Sequence, residues 1–196
     1  MKICREQCVM EEKYNKREKI KCIVFLLLSI LWMAVIFMFS AQTGEESDAQ
    51  SGFLTNLICK LIPFQLSEGG MDTLTLIIRK MAHFTEYAIL GVLYFNTAHY
   101  FMAYRKNEKN IYGGNWRAAG KAVAFTTALC MLYAMSDEFH QSFTDGRSPA
   151  LRDVIIDMCG GFAGSMLALL IINIAAGKDK RGKENDSKEN DRICRK

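Results

Sequence analysis

The sequence lacks the patterns that mark a disulfide-stabilised, zinc-binding or repeat protein. Its 7 cysteines, at positions 4, 8, 22, 59, 130, 159 and 194, show no close pairing suited to a disulfide framework or a zinc knuckle. We therefore expect free thiols. No internal repeat is present, and the basic residues behind the net charge of +4 do not gather on one face. Nucleic acid is thus excluded as an expected partner.

Charge is missing from long stretches of the chain and concentrated elsewhere. The 18 residues from Cys22 to Phe39 contain no charged side chain, whereas the segment from Lys178 to Lys196 is almost wholly polar. Segregation of this kind is typical of a membrane protein. Because one helical crossing takes about 20 residues, a few spans and polar ends would use the whole length. No separate soluble catalytic domain is expected.

Four apolar stretches have the length and composition of transmembrane helices, at about 22–40, 81–104, 118–139 and 154–176. A helix satisfies its own backbone groups in lipid, so the predicted fold class is all-α, an integral membrane bundle of four transmembrane helices. The transmembrane domain is predicted at 22–176. Residues 1–21 are interpreted as a basic lead rather than a cleaved signal peptide, because no clean small-x-small site follows the apolar run. Residues 177–196 lack apolar side chains and are expected to be a disordered tail.

Lysine and arginine are unevenly divided between the two sides of this predicted topology. The lead, the connection at 105–121 and the tail together carry 20 of the 25 basic residues. The positive-inside rule therefore places both termini and the middle connection in the cytoplasm. The other two connections are expected to face outward.

The first outer connection, roughly 41–78, is too long for a tight turn. Apolar residues recur in it at helical spacing until Pro63, at Phe53, Leu54, Leu57, Ile58, Leu61 and Ile62. This pattern predicts a short interfacial helix on the outer membrane surface. A lid packed over the bundle is the alternative.

Polar residues collect at the outer ends of the predicted spans. If Arg79 lies at the headgroups, Glu86 is roughly 10 Å deeper at 1.5 Å per residue. An unpaired carboxylate at that depth costs on the order of 1–3 kcal/mol, so we expect Glu86 to pair with a nearby basic residue, one of Lys80, His83, Arg147 and Arg152. Spacings of three and four residues let three helices direct their polar faces into one cavity. The candidate ligand-binding residues are Gln42, Lys80, His83, Glu86, Asp137, Glu138, His140, Gln141, Arg147, Asp153 and Asp157.

The connection between the third and fourth spans presents an arginine. Asp145 and Gly146 favour a tight bend, and Ser148 followed by Pro149 predicts a helix N-cap with proline at the first helical position. Arg147 is thereby expected above the cavity mouth, where its planar guanidinium suits a phosphate or carboxylate. Anchoring to lipid headgroups is the alternative role.

Four pieces of the sequence together resemble the VanZ-like family of small bacterial membrane proteins. They are Phe39-Ser40-x-Gln42, Lys80-x-x-His83-Phe84-x-Glu86-Tyr87-Ala88-x-Leu90-Gly91, Asp137-Glu138-x-His140-Gln141-x-Phe143-x-x-Gly146-Arg147 and Asp153-x-x-x-Asp157-x-x-Gly160-x-x-x-Gly164. The resemblance implies a multi-span protein of the bacterial cytoplasmic membrane and cell envelope. Name-giving members are associated with resistance to glycopeptide antibiotics such as teicoplanin, so the resemblance also implies a role in glycopeptide susceptibility.

Two functions suit such a cavity. The first is binding of an anionic amphiphile or envelope precursor, with membrane lipids, a lipid-linked envelope precursor or a glycopeptide antibiotic as candidate partners. The second is an intramembrane hydrolase or transferase that acts on an envelope lipid by metal-dependent or acid–base chemistry. Its catalytic and divalent-metal candidates are His83, Glu86, Glu138 and His140, although their spacing matches no established zinc signature. Mutual pairing that only holds the bundle together is the remaining alternative.

Overall fold

The protein is helical throughout the part of the chain that its structure describes. A computed structural model describes residues 2–61, 67–106, 112, 115–144 and 150–194, and these residues contain no strand. The helices are α1 (Lys2–Ser40), α2 (Gly44–Leu61), α3 (Glu68–Lys106), α4 (Trp116–Gln141) and α5 (Leu151–Cys194). The predicted all-α fold class is confirmed for these residues.

The basic lead and the first apolar run form one continuous helix, α1. Residues 2–40 contain neither glycine nor proline, so nothing interrupts the helix where the composition changes. A reciprocal capping box then starts α2: the Thr43 hydroxyl accepts from the backbone N–H of Glu46 at 3.3 Å, and the Glu46 carboxylate accepts from the backbone N–H of Thr43 at 3.0 Å. This cap fixes the residue at which α2 begins.

Helix α2 packs its polar face against α3. The hydroxyls of Thr55 and Thr75 lie 3.0 Å apart, and the Arg79 guanidinium donates to the Asp48 carboxylate at 3.1 Å. The opposite face of α2 is apolar and exposed, at Phe53, Leu54 and Leu57. The predicted helix in the first connection therefore exists, and its polar side faces the bundle.

Helix α3 lies at the centre of the bundle and contacts each of the other four helices. Its contact with α5 is very close. A Cβ atom built on Gly164 would overlap the carbonyl oxygen of Ala88, and one built on Gly160 would overlap that of Phe84. Small residues at this crossing let the two backbones approach, as in G-x-x-x-G helix pairs.

Three helical segments are long and apolar enough to cross a membrane: Glu11–Ser40, Trp116–Gln141 and Leu151–Lys178. They correspond to the first, third and fourth predicted spans. The predicted span at 81–104 lies within α3, which is less hydrophobic than these three segments and is not one of them. The sequence of α3 explains this, because Asn96, His99 and several tyrosines interrupt its apolar residues.

The end of the chain differs from the expectation of a disordered tail at 177–196. Helix α5 continues through this segment to Cys194. Lysine, glutamate and arginine are good helix formers, and the tail contains no proline. Gly182 and the aspartates and asparagines of the tail are poor helix formers, so propensity alone does not explain the extension.

Candidate functional site

The amino-terminal parts of α3 and α5 are joined by an ion pair. The Lys80 ammonium lies 2.5 Å from the Asp153 carboxylate, and both side chains are half-buried. Breaking such a pair leaves one charge without a partner in a poorly hydrated place. The pair therefore holds the two helices at a fixed relative height.

A hydrogen-bonded link joins α4 to the end of α1. The Gln141 amide donates to the Ser40 hydroxyl at 2.9 Å and to the Asp137 carboxylate at 3.3 Å. All three side chains are buried. Ser40 ends α1 while Asp137 and Gln141 lie on α4, so this link fixes the end of α1 against α4.

The Glu138 side chain caps the start of α5. Its carboxylate accepts from the backbone N–H of Ala150 at 2.8 Å, directly before the first residue of α5. A carboxylate at a helix N-terminus satisfies a free backbone donor and is favoured by the helix dipole. This contact gives Glu138 a structural role beside any chemical one.

Asp157 lies at the centre of a group of acidic residues and is only 1% exposed. It is close enough to interact electrostatically with Glu86, Asp137, Glu138 and Asp153, and we call these five residues the carboxylate cluster. Tyr87, fully buried on α3, is close to Asp137 and Asp157. Within the described residues, Asp157 Oδ1 and the Tyr87 hydroxyl have no hydrogen-bond partner.

A second polar group lines a small cavity between α1, α2 and α3. This cavity, which we call the α2 pocket, has a volume of about 100 Å³. Its polar lining residues are Gln42, Ser47, Gln50, Ser51, Arg79, His83 and Glu86. The pocket combines hydroxyl, amide, imidazole and guanidinium donors with a single carboxylate among the described side chains that line it.

Glu86 belongs to both the α2 pocket and the carboxylate cluster. Its carboxylate lies 3.8 Å from His83 Nδ1, within ion-pair distance but too far for a hydrogen bond. The indole N–H of Trp32 donates to the Glu86 carbonyl at 2.9 Å and fixes this turn of α3 against α1. Among the described residues, His83 is a basic neighbour of Glu86, while Lys80 pairs with Asp153.

The proposed metal ligands are not assembled into one site. His140 packs its ring on Phe37, with the ring centroids 4.3 Å apart, whereas His83 lines the α2 pocket. No group of three or more histidine, cysteine, aspartate or glutamate residues in the described parts of the chain could hold a metal ion. The expectation for Arg147, with its flanking residues 145–149, lies outside the described residues.

Several residues that shape the site were not singled out from the sequence. Trp32 lies in an otherwise aliphatic and methionine-rich run, and its polar N–H was a signal that the helix needs a partner at that level. Ser47 and Ser51 carry no comparable signal. Their place in the α2 pocket follows only from the way α2 packs on α3.

The comparisons with known proteins agree with the motifs that form this site. The family described as VanZ/LLP1 matches residues 25–172, which include the carboxyl ends of α1 and α4 and the amino-terminal parts of α3 and α5. Comparison with curated proteins and with solved structures gave no match. Since the family match covers most of the chain and its apolar helices can cross a membrane, the chain is a membrane protein of the VanZ/LLP1 family.

Proposed function

We propose that the α2 pocket binds the charged group of an anionic amphiphile at the outer surface of the bacterial cytoplasmic membrane. The observation that carries this proposal is the side chain of Arg79. It bonds to Asp48 through Nη1, but its buried Nε has no hydrogen-bond partner in the described portion of the chain. A guanidinium with a free, buried donor is well suited to a phosphate or carboxylate oxygen.

The size of the pocket limits what can enter it. The α2 pocket has a volume of about 100 Å³. That space suits a small polar group such as a phosphate or carboxylate. The remainder of the ligand would then lie outside the pocket, along the exposed apolar residues Phe53 and Leu54 of α2.

The proposal requires α3 to be the fourth span and α2 to lie at the membrane surface. Helix α3 is covered by α1, α4 and α5, so its polar residues need not face lipid, and low hydropathy does not prevent it from crossing. The exposed apolar face of α2 suits an interfacial helix. The excess of basic residues at the ends and in the middle connection supports cytoplasmic termini.

An anionic amphiphile at this surface could be a lipid-linked envelope precursor. We extend the proposal to such a precursor, and through it to lowered susceptibility to glycopeptides such as teicoplanin, in line with the VanZ/LLP1 family match. Binding needs no chemistry in the site. The carboxylate cluster would hold the helices in register through Lys80 and the α5 N-terminus.

The direct test measures binding of a short-chain anionic lipid to the purified full chain in mild detergent. Dihexanoyl phosphatidic acid is the probe, with dihexanoyl phosphatidylcholine as the zwitterionic comparison, and calorimetry gives the dissociation constant. Arg79→Lys keeps the charge but loses the planar fork, so affinity should fall by about tenfold, equivalent to about 1.4 kcal/mol. Arg152→Lys is the matched control, because Arg152 is exposed on α5 and does not line the pocket.

Equal affinity in the wild type and in both variants would refute the proposal. Bacterial strains that express the wild type or a variant at matched levels can also be compared for teicoplanin susceptibility. Resistance that depends on His83 and Glu138 but tolerates Arg79→Lys would favour acid–base or metal chemistry over binding. Tight lipid binding together with unchanged teicoplanin susceptibility would mean that the pocket binds lipid but has no role in resistance.

A further inference from the structure

A larger cavity opens at the opposite end of the bundle. It lies between α1, α3 and α5, has a volume of about 390 Å³, and is called the basal pocket here. Its polar lining residues are Tyr14, Arg17, Glu18, Lys21, His99 and Tyr112. Along α3, His99 lies roughly 24 Å from His83 at 1.5 Å per residue, so the basal pocket is separate from the α2 pocket.

The three helices around the basal pocket change there from apolar to basic sequence. Lys21 directly precedes the uncharged run of α1, Arg105 and Lys106 end α3, and Lys178 follows the apolar part of α5. Such a change marks the level of lipid headgroups at one face of a membrane. The pocket thus faces headgroups rather than acyl chains or bulk water.

The charges in the basal pocket leave one cation uncompensated. The Lys21 ammonium pairs with the buried Glu18 carboxylate at 2.8 Å and lies 5.1 Å from the centre of the Tyr100 ring. Arg17 makes no ion pair with any described side chain. The pocket therefore carries a net positive charge, with Glu18 serving to hold Lys21 in place.

Two buried polar groups complete the lining. His99 is 7% exposed and Tyr112 is 4% exposed, and their rings lie 5.4 Å apart. His99 Nδ1 and the Tyr112 hydroxyl have no hydrogen-bond partner among the described atoms. Burial raises the pKa of Tyr112 to about 12, so its hydroxyl keeps its proton at neutral pH and can donate to an anion.

We propose that the basal pocket binds the phosphate of an anionic phospholipid in the leaflet on the side of the chain termini. Arg17 and Lys21 supply the charge, and the Tyr112 hydroxyl donates a hydrogen bond from the buried end. Apolar lining at Ala103 and Ile172 gives the first acyl carbons a surface next to the headgroup. The site is distinct from the α2 pocket and shares with the proposed function only the transmembrane arrangement.

Photolabelling of the full chain in nanodiscs tests this proposal. The nanodiscs are made of phosphatidylcholine with a small fraction of phosphatidylglycerol that carries a diazirine in its headgroup, and labelled peptides are mapped by mass spectrometry. Labels are expected in the segments 14–21 and 99–112. The double variant Arg17→Gln with Lys21→Gln should reduce this labelling by roughly tenfold, because it removes both cations that line the pocket.

The matched control is the double variant Lys16→Gln with Lys19→Gln. It removes the same two charges from exposed positions of α1 that do not line the pocket. Its labelling should stay within about twofold of wild type, because only general surface attraction is lost. Equal loss in both double variants, or no loss in either, would overturn the proposal.

Two further arms identify the ligand and the site. Tyr112→Phe removes only the hydroxyl and should lower labelling severalfold. Soluble glycerol phosphate is added as a competitor. If it blocks labelling as well as unlabelled phosphatidylglycerol does, the pocket takes a free phosphate compound and the lipid assignment is wrong.

Discussion

The crossing of α3 and α5 allows a sharp test of the bundle, through the substitution Gly164→Ala. Alanine normally stabilises a helix interior by about 0.5–1 kcal/mol relative to glycine. At Gly164, however, the added Cβ would overlap the carbonyl oxygen of Ala88. A backbone atom cannot rotate away as a side chain can, so the two helices must separate.

The expected loss follows from these opposing contributions. Overpacking a tight contact costs typically about 1–3 kcal/mol, and a rigid backbone neighbour favours the upper half of that range. After subtraction of the helix-propensity gain, Gly164→Ala should destabilise the protein by about 1–2 kcal/mol. The separation would also strain the ion pair between Lys80 and Asp153 near the outer end of the same two helices.

Thermal unfolding in mild detergent, followed by circular dichroism, measures this loss. Gly177→Ala is the matched control on the same helix, because a Cβ there would have no atom within 4 Å. The control should be neutral or slightly stabilised, which separates the two melting temperatures by roughly 5–10 °C. Equal melting temperatures for the two variants would refute the close crossing of α3 and α5.

The remaining predictions concern the outer site and the topology. Lys80→Gln or Asp153→Asn alone should lower the free energy of unfolding by about 1–3 kcal/mol in the same assay, because each change leaves the other group without its partner. The double variant should lose less than the sum of the two, and simple additivity would contradict the pairing. His83→Gln should retain most anionic-lipid binding measured by calorimetry, since an amide still donates, and complete loss would point to a role that only imidazole can fill. Glu138→Gln should weaken the start of α5 by about 1 kcal/mol, seen as faster amide exchange there, and wild-type exchange would contradict the capping contact. Cys194, as the sole cysteine of an otherwise cysteine-free variant, should resist an impermeant thiol reagent on intact cells, and its labelling would reverse the proposed topology.

Much of the architecture could be predicted from the sequence because lipid imposes simple rules. A charge-free run such as 22–39 must become a helix to satisfy its backbone groups, and the apolar parts of α4 and α5 follow in the same way. The motifs around Gln42, Glu86 and Glu138 also identified the family, which the VanZ/LLP1 match confirms. The periodicity of 53–62 predicted α2, but its sequence alone left open which side would face the bundle.

Only the tertiary structure decided how the polar residues are shared between sites. Helical spacing suggested one cavity; in the structure Glu86 is shared by the α2 pocket and the carboxylate cluster, whereas His140 packs on Phe37. The basal pocket likewise joins Arg17, His99 and Tyr112, which lie far apart in the chain. Periodicity determines the face of a helix that a residue occupies, because it depends on local backbone geometry alone. Which neighbouring helix this face meets depends on the rotation of each helix and on the distance between helix axes. In the folded protein, the packing of glycines against carbonyl groups far away in the sequence fixes both.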